Sequence, residues 1–411
     1  MNYYYYFIKC IIKSSLLIFI FRIIIFEDAS NINLEDQLCD FIKKNKKSII
    51  NKEQPSLNPI KEYVNLIQEK KINYVHYKDE INNPKISFIA TFFNKEKYLE
   101  PLILSIQNQM LKEFEIIFID DCSNDNGVKL INEYIEIDKR IKLIKNKINK
   151  GALYSRSQGA IHSKGEYIIF IDSDDLVLKN GIYNSYNYIK KNDLSMIQFN
   201  SIFKINETLK LSKRYYKYEN IIKQPILSYV FFYNENVKKG AELNTALWDK
   251  LIKREIVEKA INFIGSEYYE QNLRIENDVI LLFSLFKMAN SYQYINETGY
   301  FYISDHNDSI TNSWRSSRFD SIITHGLFTN IKFLYDKSGN SYLDKLFCVY
   351  KLQQTFKRYI ICFSNAKKEY IFIKHILNKL LFSPYISKED KIIISLIERS
   401  IYNLFGFNLN I

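Results

Sequence analysis

Ile168-Ile169-Phe170-Ile171-Asp172-Ser173-Asp174-Asp175 is the stretch from which the fold can be read. Four β-favouring apolar residues run straight into three carboxylates. The apolar run reads as a strand buried on both faces, as in a parallel sheet covered by helices. The acids then stand at its carboxyl end, where open α/β sheets hold ligands. Three acids this close are costly to ionise together without a cation. Oxygen-only ligands suit a hard divalent ion, Mg²⁺ or Mn²⁺, arriving with phosphates. The plain alternative is a solvated acidic turn, because D-x-D triplets are common.

The same grammar extends outward. Ile86-Ser87-Phe88-Ile89-Ala90 predicts a first strand. Leu99, Leu102, Ile103, Ile106 and Met110 then recur at helical spacing on one face. Ile116-Ile117-Phe118-Ile119 predicts a second buried strand, running into Asp120 and Asp121. A helix carrying Val128, Ile131, Tyr134 and Ile135 follows, then a strand over 141–144 and a helix from Gly151 to about His162. Strand–helix alternation with short connections implies βαβ units, a parallel sheet and right-handed crossovers. The carboxyl ends of parallel strands share one edge, so Asp120/Asp121 and Asp172/Asp174/Asp175 are expected to face one cleft. The chain has no G-x-x-x-x-G-K-[ST] and no G-x-G-x-x-G, which argues against P-loop and dinucleotide-binding readings.

Four ordered segments now carry a resemblance: ISFIATFFNKEKYLE, SIQNQ with FEIIFIDDCSND, NKGALYSRSQGA and KGEYIIFIDSDD. Residues 86–176 resemble the nucleotide-sugar-binding half of family 2 glycosyltransferases, which have the GT-A fold. By position, the resemblance implies that Thr91, Phe93 and Lys95 lie around the nucleoside. Asp121 would contact base or ribose with Asp120 beside it, and Arg156 would be a further nucleotide contact. Asp172-Ser173-Asp174 would be the DxD motif, with Asp174 and Asp172 as metal ligands and Asp175 flanking them. The chain departs from the common pattern at Thr91, where many members have Pro, and at Ser157, where many have Asn. The plain alternatives are core packing for Phe93, a solvated helix start for Lys95 and an ion pair with a neighbouring acid for Arg156.

Further along, Leu247-Trp248-Asp249-Lys250-Leu251-Ile252 and Ile275-Glu276-Asn277-Asp278-Val279 are similar to family segments written roughly WNKL and EDxxF. The second usually carries the general base, so Asp278 is expected to be catalytic. An acceptor hydroxyl must lose a proton as it attacks, and a carboxylate must lie within hydrogen-bond reach. Glu276 competes for this role, and both acids also suit a helix N-terminus. His306 is a candidate third metal ligand. Trp314-Arg315 is not the Q-x-x-R-W motif of processive synthases.

Composition sets the frame. The chain has 411 residues, 47% of them hydrophobic, which is ample for a core. Net charge is +11, and from Arg318 onward basic residues outnumber acidic ones about two to one. No zinc-finger spacing or RNA-recognition signature accompanies the charge, so no nucleic-acid partner is expected. Five scattered cysteines form no C-x-x-C, so neither a disulfide framework nor a zinc site follows. Lys9 and Lys13 precede a short apolar run that Arg22 interrupts, the layout of a signal or signal-anchor. That segment implies an endomembrane (ER/Golgi) or membrane-associated location, with a cytoplasmic one still open. Sequons at Asn206, Asn296 and Asn307 add little in so Asn-rich a chain.

The expected organisation is a signal or anchor over 1–29, a linker or stem over 30–84 that includes some helix, a GT-A domain over 85–316 and a helical region over 317–411. The fold class is α/β, a Rossmann-like, mostly parallel sheet flanked by helices with a C-terminal helical appendage. The expected function is an inverting, metal-dependent transfer from a nucleotide-sugar, a UDP-sugar by resemblance, to a glycan, protein or lipid acceptor. Two other classes stay open: a nucleotide-sugar-binding protein without turnover, and a basic membrane-peripheral or nucleic-acid-binding protein with an inert α/β domain.

Overall fold

The computed structural model describes residues 57–69, 76–205, 208–211, 221–223, 246–270, 277–304, 333–334 and 337. The expected signal or anchor, Glu276, His306, the Trp314-Arg315 pair and nearly all of the helical region expected over 317–411 lie outside them.

Three apolar strands open the domain: β1 (Ile86–Phe92), β2 (Phe114–Asp120) and β3 (Ile141–Lys145). Helix α2 (Glu96–Gln107) connects the first pair and α3 (Gly127–Ile137) the second. Next come α4 (Ala152–Ile161), β4 (Tyr167–Asp172) and the short β5 (Leu176–Val177). β1, β2 and most of β4 are buried along their length, which is why they read as unbroken apolar runs rather than alternating ones. Helix α2 presents Leu99, Leu102, Ile103 and Ile106 to the sheet, all fully buried. Met110 was expected on that face and is not. The helix stops at Gln107, the Asn108 side-chain amide binds the Leu104 carbonyl at 2.9 Å, and Met110 lies exposed beyond the cap.

The second half supplies α5 (Gly181–Lys191), β6 (Met196–Ile205), β7 (Thr208–Leu211), β8 (Ile222–Lys223) and β9 (Lys250–Lys253). Helices α6 (Arg254–Ile264), α7 (Ser266–Tyr269) and α8 (Asn277–Met288) and the long β10 (Ser291–Ile303) complete it. Among the described residues the strands form one sheet in the order β3-β2-β1-β4-β9-β6-β10-β5, with β7 on β6 and β8 on β10. β1 to β4 are mutually parallel. β9 runs antiparallel to both β4 and β6, and β10 is parallel to β6. β6 and β10 therefore point the same way as β1–β4, and their carboxyl ends lie on one edge. This is the α/β arrangement expected from the sequence, a mixed sheet built around the parallel strands β1–β4.

Helix α1 (Asn58–Gln68) falls in the stretch read as linker, yet its Val64 and Ile67 are buried against Leu104, Leu178 and Phe301. Burying two such side chains contributes roughly 3–6 kcal/mol at about 1.5–3 kcal/mol each, enough to seat the helix on the domain. Gly159 brings α4 close to the sheet. A Cβ there would stand 2.5 Å from Ile89 Cγ2 and 2.7 Å from Ile119 Cδ1.

The amino-terminal edge of the sheet is closed by polar networks. Glu115 accepts from Ser87 Oγ (2.6 Å), Lys142 Nζ (2.8 Å) and the Lys164 amide (2.5 Å), tying β1, β2, β3 and the approach to β4. Burial would raise its pKa, but these donors more than offset that and hold the carboxyl below the usual range. Arg140 and Asp138, both fully buried, pair at 2.6 Å. The guanidinium lies between the rings of Tyr77 and Phe114, 4.0 Å from each centroid.

Candidate active site

Register builds the carboxyl edge. Thr91 is level with Asp172 across β1–β4, and Phe92 is level with Asp120 across β1–β2. The two acidic clusters predicted to share a cleft therefore lie on one edge, at the ends of β2 and β4 on either side of β1.

Each cluster is anchored differently. Asp121 Oδ1 accepts from the Asn146 side chain and the Lys150 amide, both at 2.8 Å, and its Oδ2 from the Gly151 amide at 2.8 Å. It thus shapes the loop between β3 and α4. That loop turns at Gly151, whose φ of +83° suits glycine. Asp120 Oδ1 accepts from the Ser123 amide at 2.9 Å. The β1 and β2 loops are braced together by Asn94 with Ser123 and Asn124, and by Glu96 with Asp125 and Asn126. Phe93 is 44% exposed at this rim, so it is not a core residue. Thr91 is half-buried at the end of β1.

Around the 172–175 turn the acids meet cations. Lys95, the residue preceding α2, reaches Asp174 Oδ2 at 3.0 Å. Arg156 donates from Nη2 to Asp172 Oδ1 at 2.9 Å and from Nη1 to Asp278 Oδ1 at 2.5 Å. Asp278 stands in the first turn of α8, 122 residues along the chain from Arg156. Three elements, α4, β4 and α8, thus meet at one guanidinium. The ion pair foreseen as the plain alternative for Arg156 is present. Burial pushes the Asp172 carboxyl up to about 6; Arg156 opposes that, while Asp278 and Asp174 repel the charge and add to it. Burial works against the Arg156 cation, but the two carboxylates outweigh it.

Asp175 faces inward. It is almost wholly buried, with Oδ2 accepting from the Tyr300 hydroxyl and Oδ1 from the Ile303 amide, both at 2.8 Å. Burial first, then repulsion from Asp174 and Asp172, raises its pKa well above the ordinary value. Burial likewise pushes the Tyr300 phenol up. Tyr300 and Asn146 escaped the sequence reading. One tyrosine among 32 in an Asn-rich chain carries no signal of its own.

The donor set can be tested against a divalent ion. Among the described residues no three His, Cys, Asp or Glu side chains converge as an all-protein metal cage. Two carboxylates at a strand end nonetheless fit Mg²⁺ or Mn²⁺ bound with a diphosphate. Such ions take one or two protein carboxylates and complete their shell with phosphate oxygens and water. Among the described residues no helix is long and apolar enough to cross a membrane.

Comparison with known proteins finds relatives among glycosyltransferases. The model of the family described as Glycosyl transferase family 2 matches residues 87–259. An uncharacterized glycosyltransferase of Methanocaldococcus jannaschii is 31% identical over 196 residues, 46% of this chain and 68% of that protein. The cholesterol galactosyltransferase of Borreliella burgdorferi is 32% identical over 228 residues, 54% of this chain and 61% of its own length. The chain spans 49% of a third relative, an uncharacterized glycosyltransferase of Haemophilus influenzae. Staphylococcus aureus TarS 1-349, solved in complex with UDP, superposes with a TM-score of 0.54 at 15% identity, covering 78% of this chain and 89% of that one. At that identity the likeness is one of fold.

Proposed function

The chain belongs to glycosyl transferase family 2, and from that premise we propose that it moves a sugar from a UDP-sugar to an acceptor hydroxyl with inversion, using Mn²⁺ or Mg²⁺. One observation carries the proposal. Arg156 binds both Asp172 and Asp278, so an acid remote in sequence stands beside the acidic strand end. UDP is the proposed nucleotide because a protein of this fold holds UDP, and because Asp121 and Arg156 match positions that resemble uridine contacts.

Asp172 and Asp174 would hold the ion, with His306 as the expected third ligand. When bound, the ion neutralises charge on the diphosphate leaving group. Asp278 accepts the proton of the acceptor hydroxyl as that oxygen bonds to the anomeric carbon. The bond from that carbon to the phosphate oxygen breaks in the same displacement, which inverts the centre. Arg156 holds Asp278 in place and offsets the repulsion between Asp278 and Asp172. Lys95 adds a second positive charge at the same edge. The acceptor class, whether glycan, protein or lipid, and the membrane-associated or endomembrane location read from residues 1–29 belong to the same proposal.

The test is donor hydrolysis screened across UDP- and GDP-sugars with Mn²⁺. Turnover with a UDP-sugar that Asp278→Asn abolishes, with UDP binding retained, is the expected result. UDP binding by the wild type without turnover on any donor would instead select the non-catalytic nucleotide-sugar-binding protein. No binding of UDP or GDP would reject both.

A further inference from the structure

We infer that Tyr300 is a positioning residue that sets the shape of the acidic turn 172–175, an inference that rests on the nucleotide-sugar reading of that turn. The turn leaves β4 at Asp172 and returns as β5 at Leu176. β5 is held by β10, with Val177 opposite Tyr300 and Leu176 opposite Phe301. Just before this point β10 breaks register with β6, between Tyr294 and Thr298 and again between Thr298 and Tyr300. Irregularities of this kind re-aim side chains beside sites.

The re-aimed side chain joins both ends of the turn. The Tyr300 hydroxyl donates to Asp175 Oδ2 at 2.8 Å and accepts from the Asp172 amide at 3.1 Å. Asp175 is fastened again by the Ile303 amide at 2.8 Å. One phenol thus spans the first and last residues of the acidic run, while the carboxylates of Asp172 and Asp174 are left to Arg156 and Lys95.

The ring itself has little freedom. It is fully buried and stacked on Trp248, with centroids 4.6 Å apart and planes 16° apart. Trp248 also stacks with Tyr302 at 5.6 Å and meets Phe203 edge-on at 5.9 Å. The backbone leaves no slack either: a Cβ on Gly181 would fall 2.0 Å from the Thr298 carbonyl oxygen. The Trp248 segment, noticed in the sequence for its family likeness, therefore acts as the seat of the tyrosine that holds the turn. Tyr300 acts on a bound diphosphate and ion only through the backbone and carboxylates it fixes.

Tyr300→Phe in the full chain isolates the hydroxyl. Calorimetry of UDP in the presence of Mn²⁺ is expected to show affinity weakened about tenfold or more, the scale of a lost hydrogen bond to a charged group. The donor KM should rise by a similar factor while kcat falls less, in protein that melts lower but stays folded at the assay temperature. Asp175→Asn should shift binding in the same direction, and the double variant should be less impaired than the sum of the two singles. Wild-type affinity and KM in Tyr300→Phe, or a lowered melting temperature with unchanged binding by the folded protein, would overturn the inference. Additivity in the double variant would overturn it too, including where Tyr300→Phe folds poorly. Wild-type protein that binds no UDP would instead overturn the nucleotide reading beneath it.

Discussion

At the amino-terminal edge of the sheet Glu115 is met by a lysine, a hydroxyl and a backbone amide, and its carboxyl is held below the usual range. At the carboxyl edge Asp172 shares one guanidinium with Asp278, has Asp174 for a neighbour, and is pushed up to about 6. Asp138 and Arg140 repeat the first pattern as a closed pair at 2.6 Å. Asp174 and Lys95 belong to the second, at 3.0 Å with part of each side chain open to solvent. One edge thus matches each carboxylate to several donors and lets folding use them up. The other also satisfies Asp121 and Asp175, but around Arg156 and Lys95 it gathers Asp172, Asp174 and Asp278, whose repulsion adds to burial in raising the Asp172 carboxyl. A divalent ion supplied with a diphosphate would relieve that repulsion, so under the proposed function the acids that take part are those whose mutual repulsion folding leaves in place.

Exchanging the roles of the two edges should fail in graded ways. Asp278→Asn, at the carboxyl edge, should lower turnover by about 10²–10⁴, the usual worth of a general base, with UDP affinity nearly unchanged in calorimetry. Its stability should fall less than on loss of Arg156, because the guanidinium keeps Asp172 as a partner. Arg140→Met and Arg156→Met each strip a buried cation from its acids and should each cost about 3–5 kcal/mol in denaturant unfolding. The comparison sharpens in their kinetics: Arg140→Met should leave the donor KM unchanged, and Arg156→Met should not. Gly159→Ala, beneath the helix that carries Arg156, should cost about 1–3 kcal/mol by overpacking against Ile89 and Ile119, read from the same unfolding curves. The smallest effect is expected at Glu115→Gln, about 1 kcal/mol at neutral pH. Because the folded state holds the Glu115 carboxyl below its usual range, its contribution is present above the unfolded carboxylate pKa. It is lost as pH falls through the folded value. The wild-type advantage should therefore shrink in acid, and a gap that stays constant with pH would break the contrast between the edges.

Much of the carboxyl edge was legible in the sequence because strands buried on both faces cannot hide. Residues 116–119 and 168–171 are continuous apolar runs, and each ends in its acids. The parallel register then follows from short helical connections. What the sequence did not disclose depends on distance or on irregularity. The Arg156–Asp278 contact needs α8 to be laid across α4, which no local pattern encodes. Lys250 and its neighbours form a strand antiparallel to β4, which a motif match alone does not reveal. Tyr300 meets the turn from a part of β10 beside register breaks that no local pattern announces. Met110 misled because apolar spacing continued past the residue where Asn108 caps the helix. The burial of Val64 and Ile67 was missed because the Lys-rich, proline-containing segment around them reads as a stem.

Under the proposed function the 172–175 turn, and not the Glu115 network, takes a nucleotide diphosphate together with a divalent ion. UDP titrated with Mn²⁺ into wild type, Asp174→Ala and Glu115→Gln by calorimetry tests it most directly. Binding by the wild type and by Glu115→Gln with equal affinity, and its loss in Asp174→Ala, is the expected result. Equal binding by wild type and Asp174→Ala, or no binding by any of the three, would contradict it.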